Sequence, residues 1–253
     1  MYSICMDTNE RLRRKVEAYR PGAHALAVLR QTPILILSAI SGAGKDAVKF
    51  RLLEKYASQY HHVISHITRP QRSQHGVMER DGFDYHFIST AAAETMLDQQ
   101  AYIEVDWYVQ NVYGTSVEEI EKAHAQNKIA ITDITIVGAD HVAELTPTAK
   151  PVFLFPPSFE EWQRRLLSRY GDDHQDHAAD IRGRMEIAMR ELAHAVESNR
   201  FYLVVNDDLE KTVELVNRIA HGEAVEPHYH KAQAIAEEIL QKLHDVLAKE
   251  AAV

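Results

Sequence analysis

Three groups of residues in this chain have types and spacings suited to phosphate chemistry. The first is Ser38-Ala39-Ile40-Ser41-Gly42-Ala43-Gly44-Lys45-Asp46. Two glycines one residue apart let backbone N–H groups turn inward around an anion, and a lysine at the start of a following helix reaches the outer phosphates of a triphosphate. Ser41, Gly42, Ala43, Gly44 and Lys45 would form such a cradle. Asp46 stands where a hydroxyl usually meets the metal of a phosphate loop, and Ala39 where a first glycine is usual. A carboxylate about 4 Å from a phosphate oxygen costs roughly 4 kcal/mol at an effective dielectric of about 20 unless a cation lies between them. Asp46 is therefore either a direct or water-mediated Mg²⁺ ligand or the mark of a decayed site.

The second group is Ser65-His66-Ile67-Thr68-Arg69-Pro70-Gln71-Arg72, followed by Glu79, Tyr85, Glu104, Tyr113 and Thr115. Two planar guanidiniums with tyrosine hydroxyls suit a monophosphate dianion. A carboxylate can accept from the ring N–H and the exocyclic amine of guanine together. The third group is Arg165, Arg169, Arg182 and Arg184 around an acidic loop, with Asn206-Asp207 further on. Arginines in such numbers suit charge developing on a transferring phosphoryl group.

These residues need elements to place them. Pro33–Ser38 is a continuous apolar run, the pattern of a strand buried on both faces, and a helical pattern follows from Lys45 to about Ser58. Further strands are expected at residues 62–66, 83–88, within 101–113, and at 128–134, 151–155 and 201–205. Helices are expected at 91–99, 117–126, 137–145, 159–170, 178–198 and 209–220. Strands alternating with helices predict an α/β fold with a parallel sheet. Residues 61–116 interrupt the alternation with extra strand and read as an inserted mixed-β subdomain.

Residues 1–30 read as a helical extension broken at Pro21-Gly22. Residues 223–253 read as a linker through Glu226-Pro-His-Tyr-His230 and then an amphipathic helix at 232–248, with Ile235, Ile239, Leu240, Leu243, Val246 and Leu247 on one face. That helix could dock on the core, form a homodimer or meet a partner, and residues 1–30 could pack against it.

Composition narrows the class. The chain has 253 residues, 45% hydrophobic and 26% charged, with net charge −9. Its length suffices for a core without disulfide or metal staples. The acidic balance argues against general affinity for nucleic acid or anionic membranes. A single cysteine, Cys5, leaves no internal disulfide. With neither a membrane-length apolar run nor a secretory leader, a soluble cytoplasmic protein is expected. Asp172, Asp173, His174, Asp176 and His177, like His228 and His230, read as solvated loop residues.

Taken in order, the second group resembles the guanylate kinase family. Its Ser-x-x-Thr-Arg-x-x-Arg, Asp-Tyr-x-Phe, glutamate and Tyr-Gly-Thr signatures recur here, and the resemblance runs from about residue 33 to 220. It implies a P-loop NTPase three-layer fold with a GMP-binding insert at about 61–116 and a helical lid at about 165–190, within a domain at 31–222. It implies transfer of the γ-phosphoryl of ATP to GMP or dGMP, with Mg²⁺ accompanying ATP. Arg69, Arg72, Tyr85 and Tyr113 would hold the GMP phosphate. Ser65, Glu104 and Thr115 would read guanine, and Glu79 would support the pocket. Lys45, Arg169 and Arg184 would act on the transferring group, with Asn206 at the adenine end.

Asp133 matches the first acid of the family's Asp-Ile-Asp and would face substrate or metal, while Thr135 replaces the second. The metal's carboxylate would then have moved to Asp46. The segment between Arg72 and Glu79 is about four residues longer than usual in the family. Two rivals remain open: a kinase for another phosphorylated acceptor, and a catalytically inactive binding module that has kept the pocket.

Overall fold

A computed structural model of the chain describes residues 8–74, 77–170, 177–224 and 226–251. Cys5 and the lid residues Asp172, Asp173, His174 and Asp176 lie outside the described residues, as does the side chain of His228. The chain forms two compact units, residues 1–34 with 58–149 and residues 35–57 with 150–253.

The second unit carries the phosphate loop. Strand β1 (Ile34–Ala39) is apolar and almost wholly buried. It leads through the loop into α3 (Lys45–Lys55). Strand β10 (Ala149–Phe155) lies between β1 and β11 (Tyr202–Val205), and it pairs with β11 in parallel, Val152 opposite Tyr202 and Phe155 opposite Val205. Val152, Phe153, Leu154 and Phe155 are all fully buried, which is why an unbroken apolar run and not an alternating one marks this strand.

Helices α7 (Phe159–Leu167), α8 (Ala178–Glu197), α9 (Leu209–Ala220) and α10 (Glu226–Ala251) complete the unit. Helix α10 packs on α8, β11 and α7 through Ala232, Ala236, Ile239, Leu243 and Leu247. Of the expected apolar stripe, Ile239, Leu243 and Leu247 are buried within the chain and Ile235, Leu240 and Val246 are half-buried, so the helix docks on the core, one of the three roles left open for it. The helix also begins earlier than the linker reading allowed. Pro227 sits in its first turn, where a missing N–H costs no helical hydrogen bond.

The first unit holds the second group of residues, from Ser65 to Thr115. Strands β2 (Tyr60–His62) and β9 (Ile129–Asp133) pair in parallel. A four-stranded sheet is ordered β6 (His86–Phe87), β3 (His66–Ile67), β8 (Asn111–Ser116), β7 (Tyr102–Tyr108). The single strand expected at 62–66 is therefore two. The chain leaves β9 after His62 and joins β8 and β6 at His66, because long-range pairing overrides a continuous local pattern.

The long segment after Arg72 forms a small antiparallel pair, β4 (Ser73–Gln74) with β5 (Val77–Met78). Helices α4 (Thr90–Asp98), α5 (Val117–Ala125) and α6 (Ile136–Leu145) surround the sheet, and α2 (Ala23–Gln31) packs on α5. Helix α1 (Thr8–Ala18) docks on α4 and β7. Leu12 and Val16 join Ala93, Leu97, Tyr102 and Val112 in one cluster, while Arg11 and Lys15 pair with Glu94 and Asp98 at 2.8 Å. The N-terminal extension therefore packs on the acceptor unit through α1. No described helix is long and apolar enough to cross a membrane.

Candidate active site

The phosphate loop is held in shape by groups far away in sequence. Gly42 and Gly44 have φ of 90° and 85°, in the left-handed region that glycine enters without steric cost. A Cβ on Gly44 would lie 2.7 Å from Asn206 Nδ2, which donates to the Ala43 carbonyl at 2.7 Å. Asn206 is buried, and its own carbonyl accepts from Arg165 at 3.0 Å. Trp162, also fully buried, donates from Nε1 to the Ser41 carbonyl at 2.9 Å. The loop leads into the N-terminus of α3, where the helix dipole favours an anion.

Positive charge converges on this loop. Arg169 and Arg184 each donate from Nη1 to Ser41 Oγ, at 3.0 and 3.2 Å. Arg184 is oriented by Asp180 one turn earlier on α8, at 3.1 Å, and Asp180 also accepts from the Tyr170 hydroxyl. Arg182 instead pairs with Glu186 at 3.2 Å. Lys45 lies 3.0 Å from Asp46, whose side chain is 73% exposed.

The acceptor unit gathers the second motif on one sheet face. Pairing of β7 with β8 sets Glu104 opposite Thr115 and Asp106 opposite Tyr113, after a bulge between Tyr102 and Glu104. Directly opposed residues, and those two apart on one strand, share a face. Glu104, Asp106, Tyr113 and Thr115 therefore project together. Ile67 is opposite Tyr113, whereas His66 is opposite Gly114 and points to the other face. There it meets His86 and Tyr102, with ring centroids at 4.7 and 6.2 Å, and burial together with His86 pushes its pKa down to about 4.

Arg69 and Glu79 form a buried bidentate pair at 2.5 and 2.7 Å, and Glu79 also accepts from the Arg72 backbone N–H at 2.8 Å. The pair raises the guanidinium's pKa and lowers the carboxyl's. The guanidinium lies 5.3 Å from the Tyr85 ring centroid, and its Nε is buried without a partner. Arg72 is exposed. Ser65 lies one residue before β3, and its carbonyl accepts from His86 N–H at 2.9 Å.

Of the base-reading candidates, Glu104 and Thr115 are buried and Ser65 is half-buried. Thr115 Oγ1 has no hydrogen-bond partner. Glu104 is 8% exposed, and burial, aided by Asp106, pushes its pKa up to about 8. A Cβ on Gly138, in the first turn of α6, would lie 2.7 Å from Glu104 Oε1, so a side chain there would displace this carboxylate. Asp133 ends β9, and Thr135 caps α6 by accepting from Gly138 N–H at 3.2 Å.

The guanylate kinase family model matches residues 31–223. The chain belongs to the guanylate kinase family. A guanylate kinase of Haemophilus influenzae is 34% identical over 207 residues, covering 81% of this chain and 95% of that protein. One of Schizosaccharomyces pombe is 33% identical over 198 residues, 78% of this chain and 94% of the relative. The crystal structure of guanylate kinase from Anaplasma phagocytophilum aligns with a TM-score of 0.56 at 23% identity, covering 77% of this chain and 88% of that one. That likeness places the fold in the α/β P-loop class with a parallel sheet.

Several supporting residues were invisible to motif reading. Trp162, Gly138 and Asp106 carry no local signal that separates them from ordinary core or strand residues. Asp180 could have been found from its four-residue spacing to Arg184 on a helix. Glu119 at the start of α5 accepts from Ile64 N–H at 3.0 Å and so braces the residue next to Ser65. Lys122 at 2.7 Å is its closest charged partner.

Proposed function

We propose that this chain transfers the γ-phosphoryl group of ATP to GMP or dGMP, giving ADP and GDP. The observation that carries this reading is the acceptor face. Its buried Thr115 Oγ1 lacks a hydrogen-bond partner, Glu104 lies buried directly opposite, and Tyr113 shares their sheet face. Buried polar groups are normally satisfied, and an unmet group costs stability unless a ligand completes it. Guanine supplies N–H donors for the carboxylate and a carbonyl for a hydroxyl. Its 5′-phosphate takes the remaining capacity of Arg69 with Arg72, Tyr85 and Tyr113. Ser65 contributes at the base end, and Glu79 holds Arg69 in place.

In the other unit, the loop from Ser41 to Gly44 and Lys45 hold the phosphates of ATP, with Asn206 locking the loop. Arg169 and Arg184 bring charge to the γ-phosphoryl group as it leaves ADP. The acceptor oxygen is already anionic, so no general base is required. Asp46 fits a Mg²⁺ ion travelling with ATP: it is an exposed hard oxygen donor beside the loop, and Mg²⁺ bound to phosphates uses only one or two carboxylates. Such an ion neutralises β- and γ-phosphate charge.

The test is a panel of GMP, dGMP, AMP, CMP and UMP with ATP and Mg²⁺. GDP from GMP, abolished by Lys45→Ala in a folded protein, is the expected result. No diphosphate from any acceptor would leave a binding module in place of an enzyme.

A further inference from the structure

Asp106 is a carboxylate on the acceptor face to which neither the motifs nor the proposed chemistry give a task. It stands two residues beyond Glu104 on β7 and opposite Tyr113 on β8, so it shares the face of Glu104 and Thr115. Asp106 and Glu104 both line a cavity of about 600 Å³, together with Val137 and Gly138 of α6. One Asp106 oxygen, Oδ1, accepts from the Trp107 backbone N–H at 2.8 Å, which orients the carboxylate and leaves Oδ2 for another donor. Arg13 and Arg20 also line the cavity, Arg13 paired with Glu10 and Glu17; among the described residues neither arginine forms an ion pair with Glu104 or Asp106.

Two neighbouring carboxylates that no cation pairs with repel each other, and Asp106 is the charge that adds to burial in raising the Glu104 pKa. Such a pair is unfavourable in the empty site and becomes favourable when a ligand brings several N–H donors. Thr115 Oγ1, fully buried, unpartnered and opposite Glu104, points independently to a polar ligand on this face.

The hydrogen-bonding edge of guanine offers three N–H donors, one on N1 and two on the exocyclic N2. A single carboxylate accepts two of them. We infer that Asp106 accepts the remaining N2 hydrogen, so that the base is read by two carboxylates and the 2-amino group is the feature Asp106 selects. This inference rests on the assignment of Glu104 as the guanine reader.

The experiment compares steady-state phosphorylation of GMP and IMP by the unaltered protein, Asp106→Asn, Asp106→Ala and Glu104→Gln. IMP keeps N1–H and lacks the 2-amino group. Loss of a hydrogen bond to a charged group predicts that Asp106→Ala lowers kcat/KM for GMP by about tenfold to a hundredfold. The change falls mainly in KM and leaves IMP unaltered, so the GMP/IMP ratio falls by the same factor. Asp106→Asn, which keeps one acceptor oxygen, gives an intermediate value. Turnover of IMP is the internal control for folding. Equal losses for GMP and IMP, or an unchanged ratio, overturn the role of Asp106. If the unaltered protein does not prefer GMP, or if Glu104→Gln leaves GMP turnover intact, the assignment of Glu104 itself fails, whatever Asp106→Ala does.

Discussion

Replacing Glu104 by glutamine removes an ionisable group from a buried site while keeping its shape. The free carboxyl ordinarily titrates at 4.5, and in the folded protein burial and Asp106 hold it at about 8. At about 1.36 kcal/mol per pH unit, that displacement corresponds to roughly 5 kcal/mol as an upper bound. The sign follows from proton counting. Between pH 4.5 and 8 the folded protein keeps this proton and the unfolded chain has released it. The unfolded state therefore binds fewer protons, and stability falls as pH rises through the window, by up to about 1.4 kcal/mol per pH unit.

Glu104→Gln cannot ionise and escapes this loss. The variant should match the parent protein near pH 5, exceed it increasingly up to pH 8, and keep a constant advantage of a few kcal/mol above that. Urea unfolding of both proteins without nucleotide at pH 5, 6.5, 8 and 9 measures the difference. A difference that does not change with pH would refute the reasoning, because it would mean that Glu104 is ionised throughout or solvated in the folded state. GMP should counter the effect in the parent protein, since its N–H donors favour the anion.

Three further outcomes follow from the site. Gly44→Ala puts a side chain at φ 85° and a Cβ 2.7 Å from Asn206 Nδ2; ATP affinity measured by calorimetry should fall by an order of magnitude or more, with a strain cost of about 1–2 kcal/mol. Glu79→Ala leaves the Arg69 guanidinium buried without its bidentate partner. It should destabilise the chain by about 3–5 kcal/mol in urea melts and raise KM for GMP. Arg184→Ala removes one of two guanidiniums converging on Ser41 Oγ. It should lower kcat by about a hundredfold or more while KM for GMP changes little, and a change in KM alone would place Arg184 outside the chemical step.

The amino-acid sequence by itself determined the parts whose signals are local. A buried apolar strand, two glycines and Lys45 before a helical pattern define the phosphate loop, because the backbone conformation it needs is set within a few residues. The arginine, glutamate and tyrosine motifs announced the guanylate kinase family by residue type and order. The alternation of strands and helices announced the α/β class.

What needed the tertiary structure was the facing and bracing of those residues. His66 sits beside the arginine motif in sequence but turns to the opposite sheet face, because its partner in the β3–β8 register is Gly114. Asp106 joins Glu104 and Thr115 only through the register of β7 with β8 and the bulge that precedes Glu104. Trp162 and Asn206 reach the phosphate loop from more than a hundred residues away. The C-terminal apolar stripe was legible as a stripe, and its occupant, α8 with β11, was not. Periodicity reports which side of an element is apolar. The surface that covers that side, and the burial that pushes Glu104 far from its ordinary pKa, arise from pairings between distant segments, which no local pattern encodes.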